Sequence, residues 1–319
     1  MPELKYAVGV DLGGTSIKAG IADQKGKIIL KHSLPTNAEQ GPEAVVGQIK
    51  KCIKQLLKKN TKNIIGIGIG SPGIVKLKKG TVENPPNFPG WNKVQLGSIL
   101  KKEFELDVFV ENDANAAAIG ELTFGAGINL ENFLMVTLGT GVGGGIIVNK
   151  KIFRGESGAA GEIGHVTIDH NGPKCNCGSF GCIEAYAGNN YLIQNVGREL
   201  NDHIGSLLYH YVNVENKKLT PKLIHEAAME NDAYSKSIII ELGKKIGYAL
   251  SSIINLLDIT NVVVGGGVAG FGELLFDSLE RGIKERVMLP SKEKISVKAA
   301  KLKNEAGIKG ASALVFYSN

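Results

Sequence analysis

A strand, a glycine-containing turn and a second strand occur twice in this chain, once at its start and once near its middle. Tyr6 to Val10 is apolar and runs into Asp11-Leu12-Gly13-Gly14-Thr15, and Phe133 to Val136 is apolar and runs into Thr137-Leu138-Gly139-Thr140-Gly141. After each turn an extended apolar pattern resumes, at Ile17 to Ile21 and at Gly145 to Val148, where a P-loop would begin a helix. The pattern predicts two hairpins, and with them two similar halves facing one nucleotide. Glycines lack Cβ atoms, so consecutive backbone N–H groups in such turns can converge on an anion. The same glycines can also serve only to supply positive φ in a hairpin turn. Recurrence of the turn, with Thr in both copies and Asp in one, favours a phosphate cradle.

Other glycine motifs do not compete. Gly68-Ile69-Gly70-Ser71-Pro72-Gly73 and Gly139-Thr140-Gly141-Val142-Gly143-Gly144 match the dinucleotide fingerprint formally, but neither leads into a helix. The segment from Gly20 to Lys27 has the wrong spacing for a P-loop and is followed by Ile28 where Ser or Thr is needed.

Strand and helix alternate along the chain, as in an α/β sheet. An amphipathic helix is expected over residues 42–59, and a buried strand over 63–70, where Ile-Ile-Gly-Ile-Gly-Ile is dense in apolar residues. Residues 83–91, Glu-Asn-Pro-Pro-Asn-Phe-Pro-Gly-Trp, hold too many prolines for a regular element and read as a functional loop. A strand over 107–110 leads into Glu111-Asn112-Asp113-Ala114-Asn115, which places Asp113 at the start of an alanine-rich helix. A helix over 237–257, a strand over 261–264 ending in Gly265-Gly266-Gly267, and a closing helix over 304–317 complete the reading. With 319 residues and 43% hydrophobic content the chain can bury a large core, split here between two domains. The expected boundary lies near residue 115: a first domain of 1–115 to which the closing segment 304–319 returns, and a second of 116–303.

Charge excludes some partners. The net charge of +6 comes from 37 basic and 31 acidic residues spread along the chain with no long basic block, and 6% aromatic content leaves few rings for bases to stack on, so nucleic acid is not an expected partner. The densest lysine group, Lys50, Lys51, Lys54, Lys58, Lys59 and Lys62, interleaves with apolar residues at helical spacing and reads as a solvated helix face. Met1-Pro2-Glu3-Leu4-Lys5 carries no apolar signal region, and the longest apolar runs are interrupted by Asp258 or by glycines, so a cytoplasmic protein without a membrane span is expected. Three of the four cysteines fall within eight residues, which suits metal chemistry in a reducing compartment, and Cys52 is left as helix packing.

Asp11, at the end of the first strand, is a candidate to hold Mg²⁺ through its water shell, because magnesium keeps several waters and takes few carboxylates beside phosphate oxygens. Its alternative role is to cap the turn. His165, Cys175, Cys177 and Cys182 supply one imidazole and three thiolates, a complete tetrahedral set for zinc, with Gly172, Pro173, Gly178 and Gly181 allowing tight turns between them. The alternative is three buried free cysteines. Four ligands leave no open position, so such a zinc is structural and can contribute on the order of 10 kcal/mol to folding the loop. Glu162 and Glu184 flank this set, and with the second nitrogen of His165 they can clasp vicinal hydroxyls. They could instead be satisfied supports of the metal ligands.

These residues resemble the ROK family of sugar kinases and sugar-responsive repressors along nearly the whole chain. Asp11-Leu12-Gly13-Gly14-Thr15 resembles the family's first phosphate motif and residues 138–145, Leu-Gly-Thr-Gly-Val-Gly-Gly-Gly, its second. Glu162-Ile163-Gly164-His165 is similar to the sugar-binding signature, residues 175–184 to the zinc motif, and residues 111–115 to the catalytic segment. The resemblance implies a two-domain actin-like ATPase fold with the active site in a central cleft, and ATP with Mg²⁺ and structural zinc as cofactors. It implies Asp113 as catalytic base; Asn87, Asn112, Asp113, Glu162, His165 and Glu184 on the sugar; and Asp11, Gly13, Gly14, Thr15, Lys18, Gly139, Thr140 and Gly141 at the phosphates. Gly265, Gly266 and Gly267 would border the adenosine. The chain departs from the family pattern where Asp258 is followed by Ile259 instead of proline.

The implied reaction is phosphorylation of a hexose at its 6-hydroxyl. Residues 84–91 look like the loop of the glucokinase branch, which makes glucose the expected acceptor, with N-acetylmannosamine the alternative. A sugar-sensing repressor of this family would carry a DNA-binding segment before the first phosphate motif, for which Asp11 leaves no room. A structural actin-like ATPase would not need Asn112-Asp113 or carboxylates anchored by zinc. A homodimer is the expected assembly, with its interface in the second domain.

Overall fold

The computed structural model describes residues 3–59 and 63–318. Met1 and Pro2 of the amino-terminal reading and Lys62 of the lysine group lie outside the described residues, as do Asn60, Thr61 and Asn319. The chain forms two compact units, one of Met1–Glu131, Gly145–Gly161 and Ala300–Asn319, the other of Asn132–Gly144 and Glu162–Ala299.

In chain order the first unit begins with β1 (Tyr6–Leu12), β2 (Ser16–Asp23) and β3 (Ile28–Pro35), then α1 (Pro42–Leu57) and β4 (Ile64–Ser71). The small strands β5 (Ile74–Lys76), β6 (Thr81–Glu83) and β7 (Lys93–Val94) precede α2 (Leu96–Phe104), β8 (Val108–Asn112) and α3 (Asp113–Phe124). The expected boundary at residue 115 falls inside α3, where a cut would sever the i→i−4 bonds of a continuous helix. The chain goes on through β9 (Phe133–Leu138), β10 (Val142–Val148) and β11 (Lys151–Phe153). Helices α4 (Glu184–Ala187), α5 (Asn189–Glu199), α6 (Leu207–Tyr209), α7 (Pro221–Met229) and α8 (Ala233–Leu257) lead to β12 (Asn261–Gly265). After α9 (Glu273–Arg286), α10 (Leu289–Lys292) and β13 (Ser296–Ala299) comes the closing helix α11 (Ala306–Ser318).

The first sheet has the order β3-β2-β1-β4-β8. Its first three strands are antiparallel neighbours joined by short turns, while β4 and β8 join parallel to β1 because α1 and α2 carry the chain back across the sheet. Strand alternation explains the Ile-Gly pattern of β4. Ile67 and Ile69 point into the core formed with Val45, Ile49, Ile53 and Leu56 of α1. Gly68 faces the other way, where a Cβ would stand 1.8 Å from the Ala311 carbonyl oxygen, so the glycine lets α11 lie directly on the strand backbone. Burial of each such isoleucine contributes about 1.5–3 kcal/mol. Lys50 and Lys54 on the opposite side of α1 pair with Glu103, as a solvated face does.

The second sheet, β11-β10-β9-β12-β13, repeats the scheme: a hairpin strand beside the central one, then two parallel partners, here β12 and β13. Strand β10 begins in the second unit and continues into the first. The duplicated glycine turns therefore occupy equivalent places, each between the central strand of a sheet and its hairpin partner. Among the described residues no helix is long and apolar enough to cross a membrane.

Candidate active site

Three parallel strands of the first sheet end side by side, and their carboxyl ends carry the chemistry. Asp11 is level with Gly70, Gly70 with Glu111, and Ser71 with Asn112, so Asp11 on β1 and Asp113 just beyond β8 reach the same edge, where open α/β sheets bind ligands. The turn Gly13-Gly14-Thr15 lies at this edge, closed by the Gly13 N–H on the Ser16 carbonyl at 3.2 Å. Asn87, in the left-handed region at φ 66°, sits against it: a Cβ on Gly14 would lie 3.7 Å from the Asn87 Cβ. Lys18 is the cross-strand partner of Asp11.

The Asp11 carboxyl titrates above its ordinary 3.8, chiefly through burial and then through the charge of Asp113, against which Lys18 pulls it down. Two carboxylates that repel each other at a glycine turn are a place where a divalent cation is favoured. Helix α11 bounds the Asp11 group: a Cβ on Gly307, in the first turn of that helix, would lie 2.3 Å from Asp11 Oδ2. Sequence reading did not single out Gly307; the one signal available was a glycine in a helical first turn, which helix propensity disfavours. Gly307→Ala is expected to push the Asp11 carboxyl aside and lower kcat/KM for MgATP about tenfold, within the 1–3 kcal/mol range of overpacking. Unchanged kinetics with MgATP would show that Asp11 needs no fixed place.

Asn112 is the N-cap of α3. Its Oδ1 accepts from the N–H groups of Ala114 at 3.0 Å and Asn115 at 3.3 Å, and its Nδ2 donates to the Gly73 carbonyl at 3.3 Å. The amide expected on a sugar hydroxyl is thus also a structural cap, with one Nδ2 proton left to offer. Asp113 opens α3; its Oδ1 accepts from the Ala114 N–H at 2.9 Å. One face of Asp113 is open to solvent, yet the protein packed around its carboxyl raises the pKa above 3.8, backbone hydrogen bonds opposing the shift.

In the second unit the turn 139–141 joins β9 to β10, with the Gly139 N–H on the Gly141 carbonyl at 2.9 Å and the Asn189 N–H, at the start of α5, on the Gly139 carbonyl at 2.9 Å. Because β12 pairs parallel with β9, Gly265 lies level with Thr137, and the run Gly265-Gly266-Gly267 ends beside this turn. Gly266 adopts φ 92° and packs against the Leu138 backbone. Glu184, first residue of α4, reaches the same turn: its Oε2 accepts from the Val142 N–H at 2.9 Å. A Cβ at position 141 would lie 2.3 Å from that oxygen, so Gly141 leaves the carboxylate its room. The role read from sequence for Glu184 was sugar binding; the structure adds a backbone contact to the second glycine turn.

His165, Cys175, Cys177 and Cys182 present their ligand atoms within 4.8 Å of one another. The Cys177 and Cys182 sulfurs are 3.7 Å apart, and Cys175 Sγ is 3.8 Å from His165 Nδ1. Two sulfurs on a tetrahedral zinc with bonds of about 2.3 Å would stand about 3.8 Å apart. Burial pushes the Cys175 and Cys182 thiols above their usual range, so holding them as thiolates calls for a cation. The donor set fits zinc by number, type and spacing. With Nδ1 turned to the sulfurs, His165 Nε2 faces outward, 3.9 Å from Glu162 Oε2, too far for a hydrogen bond between them. Cys175 Sγ also lies 4.0 Å from Glu184 Oε1, and Thr167 bridges to Cys182, so one loop core carries His165 and Glu184 together.

The ROK family pattern matches residues 7–317. A glucokinase of Thermotoga maritima is 35% identical over 315 residues, covering 99% of this chain and 98% of that protein. A xylose repressor of Caldicellulosiruptor bescii is 32% identical over 311 residues, covering 97% of this chain and 77% of the repressor. The crystal structure of a ROK family glucokinase from Streptomyces griseus in complex with glucose and AMPPNP superposes with a TM-score of 0.82 at 34% identity, over 98% of this chain and 99% of that one. With paired glycine turns at equivalent places in two like sheets and a Cys/His cluster in the second unit, the chain has the actin-like ATPase fold and belongs to the ROK family.

Proposed function

We propose that the protein transfers the γ-phosphoryl group of ATP to the 6-hydroxyl of a hexose, glucose before others. The observation that carries this reading is the shared edge of β1, β4 and β8: a candidate base, Asp113, and a phosphate turn with its own carboxylate, Asp11, are built on one rigid sheet. Phosphoryl transfer asks a protein mainly to position reactants and stabilise charge. Asp113 takes the proton of the sugar hydroxyl as that oxygen attacks the γ-phosphorus, and ADP departs. The residues proposed to hold the phosphates through their N–H groups are Gly13, Gly14 and Thr15 together with Gly139, Thr140 and Gly141, and Lys18 adds positive charge.

Asp11 holds a hydrated Mg²⁺, which supplies charge neutralisation to the phosphates. His165, Cys175, Cys177 and Cys182 hold a zinc that supplies rigidity. Asn87, Asn112, Glu162, His165 and Glu184 hold the ring hydroxyls, and Gly265, Gly266 and Gly267 border the adenosine. The glucokinases among the relatives support glucose as the acceptor. The likeness to a xylose repressor supports a second reading, a sugar-binding regulator without turnover.

Initial rates of ADP formation with glucose, N-acetylmannosamine, fructose and allose separate these readings. Glucose is expected to exceed each of the others in kcat/KM by at least about tenfold, since a site that hydrogen-bonds ring hydroxyls discriminates by their geometry. A preference for N-acetylmannosamine would replace glucose as the acceptor. ATP consumption indifferent to all four sugars, with sugar binding intact, would favour the regulator.

A further inference from the structure

The segment that carries Asp113 is held from behind by a carboxylate. Glu111, on β8, is 4% exposed, and each of its oxygens is committed. Oε1 accepts from the Asn112 N–H at 2.9 Å and from Asn115 Nδ2 at 3.2 Å; Oε2 accepts from Arg154 Nε at 2.8 Å. Asn115 is itself buried and, among the described residues, its Oδ1 has no partner and Glu111 is the one anchor of its side-chain amide. Arg154 follows β11 and opens the loop 154–161. The Ala160 N–H closes this loop on the Arg154 carbonyl at 3.1 Å, and Lys76 Nζ fixes it through the Ser157 carbonyl at 2.7 Å. The residues that come next in the chain, 162–165, carry Glu162 and His165.

We propose that the Arg154–Glu111 ion pair is a positioning device for the transfer step, holding the start of α3 and the base of the loop 154–161 in one fixed relation. Stability alone does not explain it, because well-packed apolar residues replace a buried ion pair at little or no loss. Geometry does. The Asn112 N–H on Glu111 fixes the residue whose extended backbone, φ −58° and ψ 145°, sets the direction in which Asp113 leaves the strand. A misplacement of about 1 Å at a reacting group is enough to lower turnover on the order of a hundredfold. Glu111 and Arg154 act through Asn112, Asn115 and the loop, not on a reacting atom.

The inference rests on Asp113 being the base, so the experiment includes that residue. Steady-state kinetics with glucose and ATP, beside thermal melting, would compare wild type, Asp113→Asn, Arg154→Met, Arg154→Lys, Glu111→Gln and the double variant Arg154→Met/Glu111→Gln. Arg154→Met is expected to lower kcat at least about tenfold while KM for ATP stays within about twofold. Arg154→Lys should recover most of that loss, because the charge is kept and one donor suffices for Oε2. The double variant should be less impaired than Arg154→Met alone, since removing both partners leaves no unpaired buried charge.

Arg154→Met with wild-type kcat, while Asp113→Asn is inactive, would overturn the positioning role and leave the base intact. A fall in kcat matched by an equal rise in KM for ATP and not rescued by lysine would also overturn it, as general damage. Near-normal turnover of Asp113→Asn would instead remove the base on which the inference rests. Should Arg154→Met fail to fold, Glu111→Gln and Arg154→Lys decide: the first is expected to lose at least about fivefold in kcat and the second less, and equal, wild-type-like rates for both would sink the proposal.

Discussion

Asp113→Asn should bind glucose within a few-fold of the wild type yet turn over at least about a hundredfold more slowly, the lower range for removal of a general base and equivalent to about 2.7 kcal/mol of transition-state stabilisation. Asparagine keeps the size of the side chain and can keep the acceptor for the Ala114 N–H, which Asp113 Oδ1 holds at 2.9 Å, so the helix start should survive. What asparagine loses is the ability to take a proton from the sugar hydroxyl. Isothermal titration with glucose and single-turnover kinetics separate binding from chemistry. Turnover near the wild-type rate would take Asp113 out of the base role.

The same carboxyl sets a direction for the pH dependence. Burial raises its pKa above 3.8, and a base works only when deprotonated. Activity is therefore lost as pH falls through that raised value, and Asp113→Asn should flatten the acid limb of kcat.

Removal of zinc is expected to raise KM for the sugar at least about tenfold, in the range that loss of metal-site support produces, and to move KM for ATP less. The reason lies in what the loop core holds. Cys175 and Cys182 are buried with Ala185, and half-buried Tyr191 packs against them, a cluster too small to order the segment unaided, and the orientation of His165 and of Glu184 depends on it. ATP is not spared altogether, because Glu184 Oε2 also accepts from the Val142 N–H beside the second glycine turn. Cys177→Ser is the milder probe, since Cys177 is exposed while the other two thiols are buried. Chelation followed by kinetics, with metal analysis of the untreated protein, tests both statements. Protein that purifies fully active with no bound zinc would end the proposal.

Much of this protein is encoded over short stretches. Hairpin turns, the start of α3 at Asp113, the strand and helix periods and the crowding of three cysteines within eight residues depend on neighbours only a few positions apart, and each reads directly from the chain. The Ile-Gly alternation of β4 marked a buried strand, although the chain gave no hint that Gly66 and Gly68 make room for α11, more than two hundred residues later. The domain boundary near residue 115 was harder to place, because α3 is a single helix and the chain re-enters the first unit twice.

Residue chemistry and local conformation were thus determined by sequence alone: two glycine turns, a carboxylate at a helix start, one imidazole and three thiols close together in the chain. Only the tertiary structure decided what those groups touch. It set Gly307 against Asp11, Glu184 against the Val142 N–H and Arg154 against Glu111, contacts that join residues 42 to 296 positions apart. The physical reason is the range of the forces involved. Periodicity and capping act within a few residues, whereas these contacts exist only after parallel strands have aligned and helices have packed across them, and no spacing in the chain encodes that alignment.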